Sequence, residues 1–486
     1  AGKVTIIAPR AFMEYAVAEA IYAGNVMNRR AFYQYGVLLP ANAYGHVGQG
    51  LAQGTSIGNM GLIPPNRIID KDIEELTIDG VKMVFQNTPN AEAPSEMNTY
   101  FPDMKALWMA ENVTGVFHNI YTLRGALVRD ALSWSKYINE ALYLYGKQAE
   151  VMFASHHWPR WGNERVQEVL RGQRDLYANI HNQVLHFANQ GVTINQIHNV
   201  YETPAGIAKQ WYNRGYHGSP EHNSRAVINR YVGYWDVNPT TLIPLSPADA
   251  APIYVEMMGG ANKIVAKGKE LHDQGRYFEA TEILDKLVHA EPQNQEAKDL
   301  LADVFEQIGY QQENPGLRNS FLAGAYELRS GIPEGESPKS TGPDMIRAMS
   351  TELFLEFLGI RMDSRKAGGM EFTINLVTPD NGERFVVELS DSTLTAIEGF
   401  QAEDADLTIT IDRADLETVM MGQKTLAAQI NDGTAKIKGN REILNQLAST
   451  MVEFELGFEI LPGTKGPTAD ADLNPFEVGP VNLGGE

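Results

Sequence analysis

The sequence predicts a multidomain chain of mixed class: an α/β domain, then an all-α domain, then an α+β domain. Three observations carry this. The chain has 486 residues, and at roughly 100–200 residues per domain that length suggests about three domains. Hydrophobic patterning alternates between strand and helix up to residue 160, is helical up to residue 330, and then runs strands before helices. A stretch rich in Gly, Pro, Ser and Glu separates the second region from the third. The expected divisions are 1–163, 164–330, a linker at 331–343, 344–463, and a Pro- and Gly-rich tail at 464–486.

Each element follows from a local pattern. Val4 to Ala8 is a short apolar run stopped by Pro9. Phe12 to Tyr35 carries Tyr15, Ala18, Ile21 and Tyr22 on one helical side. Gly45 to Pro65 reads as a loop. Leu76 to Ile78 and Val81 to Phe85 flank Asp79-Gly80, a favoured two-residue hairpin turn, because both positions tolerate positive φ. Lys105 to Ala110 is a buried-strand pattern, Ala131 to Tyr145 a helix, and Val151 to Ser155 a strand. Amphipathic helices cover Val166 to Asn189 and Asn262 to Gly275. The stretch from Gly275-Arg276-Tyr277 to Ala290-Glu291-Pro292 has the marks of one tetratricopeptide-like helical pair. In the third domain a helix at Thr351–Ile360 precedes strands at 371–377, 384–390, 393–398 and 407–411. Helices at 413–421, 425–430 and 441–450 close it.

Composition excludes several functions. Forty basic and 61 acidic side chains leave a net charge of −21. Nucleic acid or an anionic membrane would need a basic surface. An anionic substrate would need a local basic pocket working against the overall field. The absence of cysteine rules out disulfides, thiolate metal sites and thiol nucleophiles. No run of about 18 uncharged apolar residues occurs, so no membrane-spanning helix is expected. The chain opens with Ala1 and enters a strand pattern at once, which reads as a protein whose beginning lies upstream.

Histidines and carboxylates are then the natural transition-metal ligands. None of the eleven histidines forms a His-x-His or His-Glu-x-x-His motif. Three segments place ligand-type residues at the end of a strand pattern: Asn87 to Glu96, Met109-Ala110-Glu111-Asn112, and Ser155-His156-His157-Trp158-Pro159-Arg160-Trp161-Gly162. Such loops are common site positions in layered α/β domains. Each also fits a plainer reading: a solvated acidic loop, an exposed strand-end carboxylate, or a packed histidine pair. Arg124 offers a planar fork for an oxyanion or a structural salt bridge. His217 lies in a Gly-rich loop and fits either a site or a surface role.

These residues bring a family with them. The motifs from Glu92 to Met97, Met109 to Asn112, Thr122 to Asp130, Ala154 to Gly162 and Trp211 to Gly218 resemble those of the alkylsulfatases that cleave dodecyl sulfate and related esters. So does the helical stretch around Gly275-Arg276-Tyr277, and the resemblance covers essentially the whole chain. It implies a metallo-β-lactamase αββα sandwich (here its C-terminal portion), a helical dimerisation domain and a C-terminal domain like sterol carrier protein 2. It also implies two zinc ions, with Glu92, Glu111 and His156 matching three ligands. Arg124 and His217 match residues that hold the sulfate group; His118 and Asn119 lie in the same motif and are further candidates there, and Tyr216 is a candidate to line the pocket and its alkyl groove. Trp158 and Trp161 are candidates to line an alkyl groove. The family's His-x-His-x-Asp-His loop does not occur in this sequence; its place is upstream of Ala1. The activity implied is zinc-dependent hydrolysis of alkyl sulfates by a periplasmic or secreted homodimer.

Two other readings stay open. The chain could serve as a dimerisation and apolar-ligand-binding piece, with Phe354, Phe357, Leu358, Met420 and Met421 lining a lipid pocket or simply filling a core. It could also be a metallo-β-lactamase-type hydrolase of another ester.

Overall fold

The computed structural model describes residues 4–54, 61–333 and 343–465. The expected linker and tail fall largely outside them. The first region builds β1 (Ile7–Pro9), α1 (Phe12–Tyr35), β2 (Arg67–Ile69), β3 (Ile73–Ile78), β4 (Val81–Asn87), β5 (Met97–Phe101), β6 (Ala106–Trp108), α2 (Ala131–Ala141), β7 (Val151–Phe153) and β8 (Arg160–Trp161). Strands β3 to β8 form one six-stranded sheet in sequence order, while β1 and β2 pair in parallel. The C-terminal portion of a two-sheet sandwich was expected; among the described residues of this region the six-stranded sheet is accompanied by the two-stranded β1–β2 pair. The Asp79-Gly80 hairpin forms as expected, with φ of 51° and 82°.

Helix α3 (Asn163–Ala188) begins at the boundary expected at 163/164. Its Val166, Leu170, Tyr177 and Ile180 share one core with Leu107 and Met152 of the sheet and Trp134 of α2. Helices α4 (Ala205–Ala208) and α5 (Pro220–Val232) follow, and Val227 and Ile228 of α5 join that same core. The first core therefore reaches well into the helical region, because α3 needs the sheet-side apolar surface to bury its own stripe.

A second core begins with α6 (Pro247–Met257), α7 (Ala261–Asp273), α8 (Tyr277–Ala290), α9 (Gln295–Tyr310) and α10 (Pro315–Ser330). The expected helical pair is α7–α8; a second pair, α9–α10, continues the stack. The last unit has α11 (Pro343–Ala348), α12 (Thr351–Arg361), β9 (Phe372–Thr378), β10 (Glu383–Ser390), β11 (Thr393–Glu398), β12 (Leu407–Thr410), α13 (Arg413–Met420), α14 (Leu426–Asn431), β13 (Lys436–Gly439) and α15 (Glu442–Thr450). Its five strands lie in the order β11-β10-β9-β12-β13.

Helix α1 packs on α10 and on the last unit. Its Val17 and Ile21 pack against Met345, Met349, Phe354, Phe357 and Met420. Phe354, Leu358 and Met420 also pack on the core of the last unit. Phe354, Phe357, Leu358 and Met420 are partly buried where these clusters meet. Farther along α1, Arg29 pairs with Glu327 of α10 at 2.7 Å, both side chains fully enclosed. No described helix is long and apolar enough to cross a membrane.

Candidate active site

Strands β4, β6 and β7 run in the same direction, since β5 is antiparallel to β4 and β6 while β7 is parallel to β6. Their carboxyl ends open at one edge of the sheet. The loop after β4 delivers Glu92, the loop after β6 delivers Glu111, and the loop after β7 delivers His156. The chain turns sharply at these ends: Ala110 and His157 adopt left-handed φ of 46° and 71°, which a β-carbon disfavours. Asn112 ties two of the loops together. Its Nδ2 donates to Thr88 Oγ1 (3.0 Å) and Asn98 Oδ1 (2.8 Å), and its carbonyl accepts from Trp134 Nε1 at 2.8 Å.

The three ends meet in a cavity of about 360 Å³, lined by Glu92, Glu111, His118, His156, Arg124, Arg129, His217 and part of the 49–54 loop. That loop lies against the 216–217 backbone through Gly50 (φ +83°), where a β-carbon would stand 2.2 Å from the Tyr216 carbonyl oxygen. His156 Nε2 lies 2.5 Å from Glu111 Oε1. Arg129 binds the Glu92 carboxylate and the Glu92 carbonyl.

His118, a candidate for the sulfate group, lines the same cavity as Arg124 and His217 and lies beside the carboxylates. One ligand-type atom each from Glu92, Glu111 and His118 lies within 4.8 Å of the others. His118 Nδ1 sits 3.3 Å from the Asn119 carbonyl, an acceptor, so Nδ1 carries the proton. Nε2 is then bare, buried and without a hydrogen-bond partner, 3.9 Å from Glu92 and 3.7 Å from Glu111. A lone pair facing two carboxylates is repulsive unless a cation lies among them. The donor set therefore fits a divalent metal, and a ligating histidine characteristically donates its other N–H to a carbonyl.

The electrostatics agree. Burial pushes Glu92 up to about 7 against the opposing pull of Arg129, and burial pushes Glu96 up to about 8. Burial also works to raise Glu111, but the hydrogen bond and charge of His156 outweigh it and leave Glu111 below its ordinary value. The bond to Glu111 raises His156. Burial, then the Arg129 charge, holds His118 well below the usual histidine range.

On the other wall, Arg124 Nη1 donates to the Gly125 carbonyl at 2.9 Å and stands 3.5 Å from Glu19 of α1. His217 is buried, with its ring centroid 4.6 Å from that of His118. Gly218 permits this approach, since a β-carbon there would meet the His118 carbonyl oxygen at 2.2 Å. Asn119 lies behind the wall, where its Nδ2 contacts His217 Nε2 at 2.9 Å. Tyr216 is outside the lining set and 39% exposed. Trp158 and Trp161 are 85% and 70% exposed and also outside it, so the indoles do not form the expected groove there. Sequence reasoning gave no role to Arg129, although it sits in the Thr122–Asp130 motif one residue before the N-cap of α2. Gln49 and His222 carried no local signal, because their contacts span more than a hundred residues.

Fold and cavity together define a multidomain protein of mixed class with a carboxylate–imidazole centre at the ends of parallel-running strands, faced by guanidinium groups. The comparisons make this specific. A family model described as alkyl sulfatase dimerisation matches residues 193–331, and one described as alkyl sulfatase C-terminal matches 339–463. A linear primary-alkylsulfatase of Pseudomonas sp. is 44% identical over 461 residues, 95% of this chain and 68% of that protein. An alkyl/aryl-sulfatase of Saccharomyces cerevisiae is 41% identical, covering 96% of this chain and 72% of that protein. The solved structure of a stereoselective inverting sec-alkylsulfatase from Pseudomonas sp. matches with a TM-score of 0.91 at 38% identity, over 94% of this chain and 72% of that one. The chain belongs to the alkylsulfatase family, whose named members are sulfuric ester hydrolases.

Proposed function

We infer that this protein hydrolyses alkyl sulfate esters to an alcohol and sulfate, with dodecyl sulfate as a representative substrate. One observation carries the reading: the metal-type cluster of Glu92, Glu111, His118 and His156 and the Arg124 guanidinium line the same cavity. Zinc suits this oxygen and imidazole donor set. When bound, it supplies Lewis acidity that lowers the pKa of a water from 15.7 towards about 7. Two ions, as in the family reading, need more donors than these four residues offer.

The protein's own groups do the rest. Arg129 opposes the effect of burial on Glu92 and holds it in place. Glu111 accepts from His156 and fixes its ring. Arg124 presents a fork that matches two sulfate oxygens, which overcomes the unfavourable net charge locally. His217, kept neutral by burial, contributes a hydrogen bond rather than a charge.

The finer assignments are part of the same proposal. The six-stranded sheet with its strand-end centre supports a metallo-β-lactamase-type layer, and the five-stranded sheet with flanking helices supports a sterol-carrier-type unit. The exposed apolar residues Val232, Tyr234, Val237, Ile243, Leu245 and Met257 lie within the segment matched by the dimerisation model and support a homodimer. A periplasmic or secreted location rests on the family reading. The test is sulfate release from dodecyl sulfate by the zinc-supplemented protein, with and without a chelator. Chelator-sensitive release is expected; no release, or release indifferent to chelation, overturns the reading.

A further inference from the structure

We propose that His222 is a positioning residue: through the Asn119 side chain it fixes the tautomer in which His217 carries its ring proton on Nδ1. His217 then offers an N–H, not a lone pair, to an anion in the cavity. The inference rests on the reading of that cavity as a sulfate-ester site.

The chain of contacts starts at the first turn of α5. Ser219 is its N-cap, and its hydroxyl lies 3.1 Å from His222 Nδ1. His222 Nε2 lies 2.9 Å from Asn119 Oδ1. An amide oxygen only accepts, so His222 Nε2 donates. Burial pushes His222 down to about 4, so the ring holds one proton, and its bare Nδ1 accepts from Ser219. With Oδ1 anchored, the amide nitrogen of Asn119 turns to His217 Nε2. An amide nitrogen only donates, so that Nε2 is bare and the His217 proton sits on Nδ1.

His217 Nδ1 donates a long hydrogen bond to the Gln49 carbonyl at 3.3 Å, which agrees with that tautomer. Both residues line the cavity, so a sulfate oxygen there can take over this N–H. Without His222 the Asn119 amide can rotate by half a turn. Its oxygen would then face His217 Nε2 and call the proton there, leaving the Nδ1 lone pair towards the anion. The backbone around Asn119 is held independently. Asn223 accepts from Ile120 N at 2.8 Å and donates to the His118 carbonyl at 2.9 Å. Substituting His222 therefore frees the amide while leaving the segment in place.

The experiment reads ring-¹⁵N-labelled histidines by NMR in the full chain, with the His217 signals assigned by their loss in His217→Gln. In the unsubstituted protein His217 should show the Nδ1–H tautomer. In His222→Leu it should show a mixture, and KM for dodecyl sulfate should rise roughly tenfold, the loss of one charge-assisted hydrogen bond, with kcat moved less. His222→Gln, whose amide can donate to the same oxygen, should restore both. A merely structural role would lower thermal stability without moving the tautomer. The proposal is overturned if His217 is Nε2–H in the unsubstituted protein, or if His222→Leu leaves its ring signals unchanged. Should His222→Leu fail to fold, the unsubstituted spectrum and that of His222→Gln decide. An Nδ1–H signal that is lost in His222→Leu supports the relay even if dodecyl sulfate is not cleaved; that outcome sinks the substrate reading alone.

Discussion

Arg129 grips Glu92 twice, at its carboxylate and at its main-chain carbonyl, and its remaining nitrogen reaches the Asn119 carbonyl at 2.8 Å. One guanidinium thus sets the position of a candidate metal ligand and the backbone beside His118. Glu92 is buried and already pushed up to about 7. Replacing Arg129 with Met removes the charge that opposes this. Glu92 should then be protonated at neutral pH and a poor ligand. Zinc affinity by calorimetry should fall at least tenfold, and breaking a buried pair should cost about 3–5 kcal/mol of stability. Unchanged zinc affinity would remove Arg129 from this role.

The buried carboxylates also set a pH dependence for the metal-free protein. Glu92 and Glu96 have folded pKa values of about 7 and about 8, above the ordinary 4.5. The folded state keeps protons that the unfolded chain has released. Their contribution is complete below pH 4.5 and is lost as pH rises through 7 to 8. His118, His217 and His222 are depressed and act with the opposite sign, but only below the unfolded histidine value of 6.5. Between pH 6.5 and 8 the carboxylates prevail. The urea midpoint of chelator-treated protein should fall across that window, and added zinc should restore it at pH 8. A midpoint that rises or stays flat contradicts the assignment.

How much was legible in the sequence depended on whether a residue's partner was local. Helix α1 and the Asp79-Gly80 hairpin were readable because periodicity and turn chemistry act over a few neighbours. Strand β5 was not, since Asn98 and Thr99 are fully buried polar residues, which breaks alternation. Asn98 is held by Gln86 and Asn112. Strand β13 is short and Lys-rich. Glu92, Glu111 and His156 could be singled out from strand ends alone. That His118 faces the carboxylates could not, because its backbone is set by Tyr177 and Asn223. Helix α3 reads alike whether it packs on a sheet or on other helices, so its place in the first core was not legible.

Arg124 lines the cavity together with Arg129, and its pairing with Glu19 is long and partly exposed. Arg124→Ala should lower kcat/KM for dodecyl sulfate by roughly 10–100-fold, the value of a charge-assisted hydrogen bond. Arg124→Lys should recover part of this, since lysine keeps the charge but loses the fork. Steady-state kinetics decide, and equal rates in all three proteins would refute the role.

The Arg29–Glu327 pair makes a separate claim about stability. Tyr33 donates to the same carboxylate at 2.7 Å, and Arg29 Nε donates to the Phe458 carbonyl at 2.9 Å. The network ties α1 to α10 and to the chain leaving the C-terminal unit. Arg29→Met strands a buried carboxylate and should cost about 3–5 kcal/mol in urea unfolding. Adding Glu327→Leu should recover much of that loss, because the penalty lies in the unpaired charge. If the double variant is no better than the single one, the pair itself supplies the stability.

The apolar arm between α5 and α7 should decide the oligomeric state. Ile243 is 89% exposed and Met257 81%, with Tyr234, Val237 and Leu245 exposed nearby. Single exposed apolar residues are ordinary, but a run of them exceeds what a monomer normally leaves to water. The overall charge of −21 gives no general attraction between copies, so association must come from this apolar contact rather than from the field. A carboxylate placed in its middle would be desolvated on pairing, without a partner. Ile243→Asp should therefore shift the mass measured by light scattering from twice 53.8 kDa towards 53.8 kDa. Sulfate release per chain should change less than the mass does, since the arm supplies no residue to the cavity. A variant that remains dimeric would move the interface to another surface of the chain.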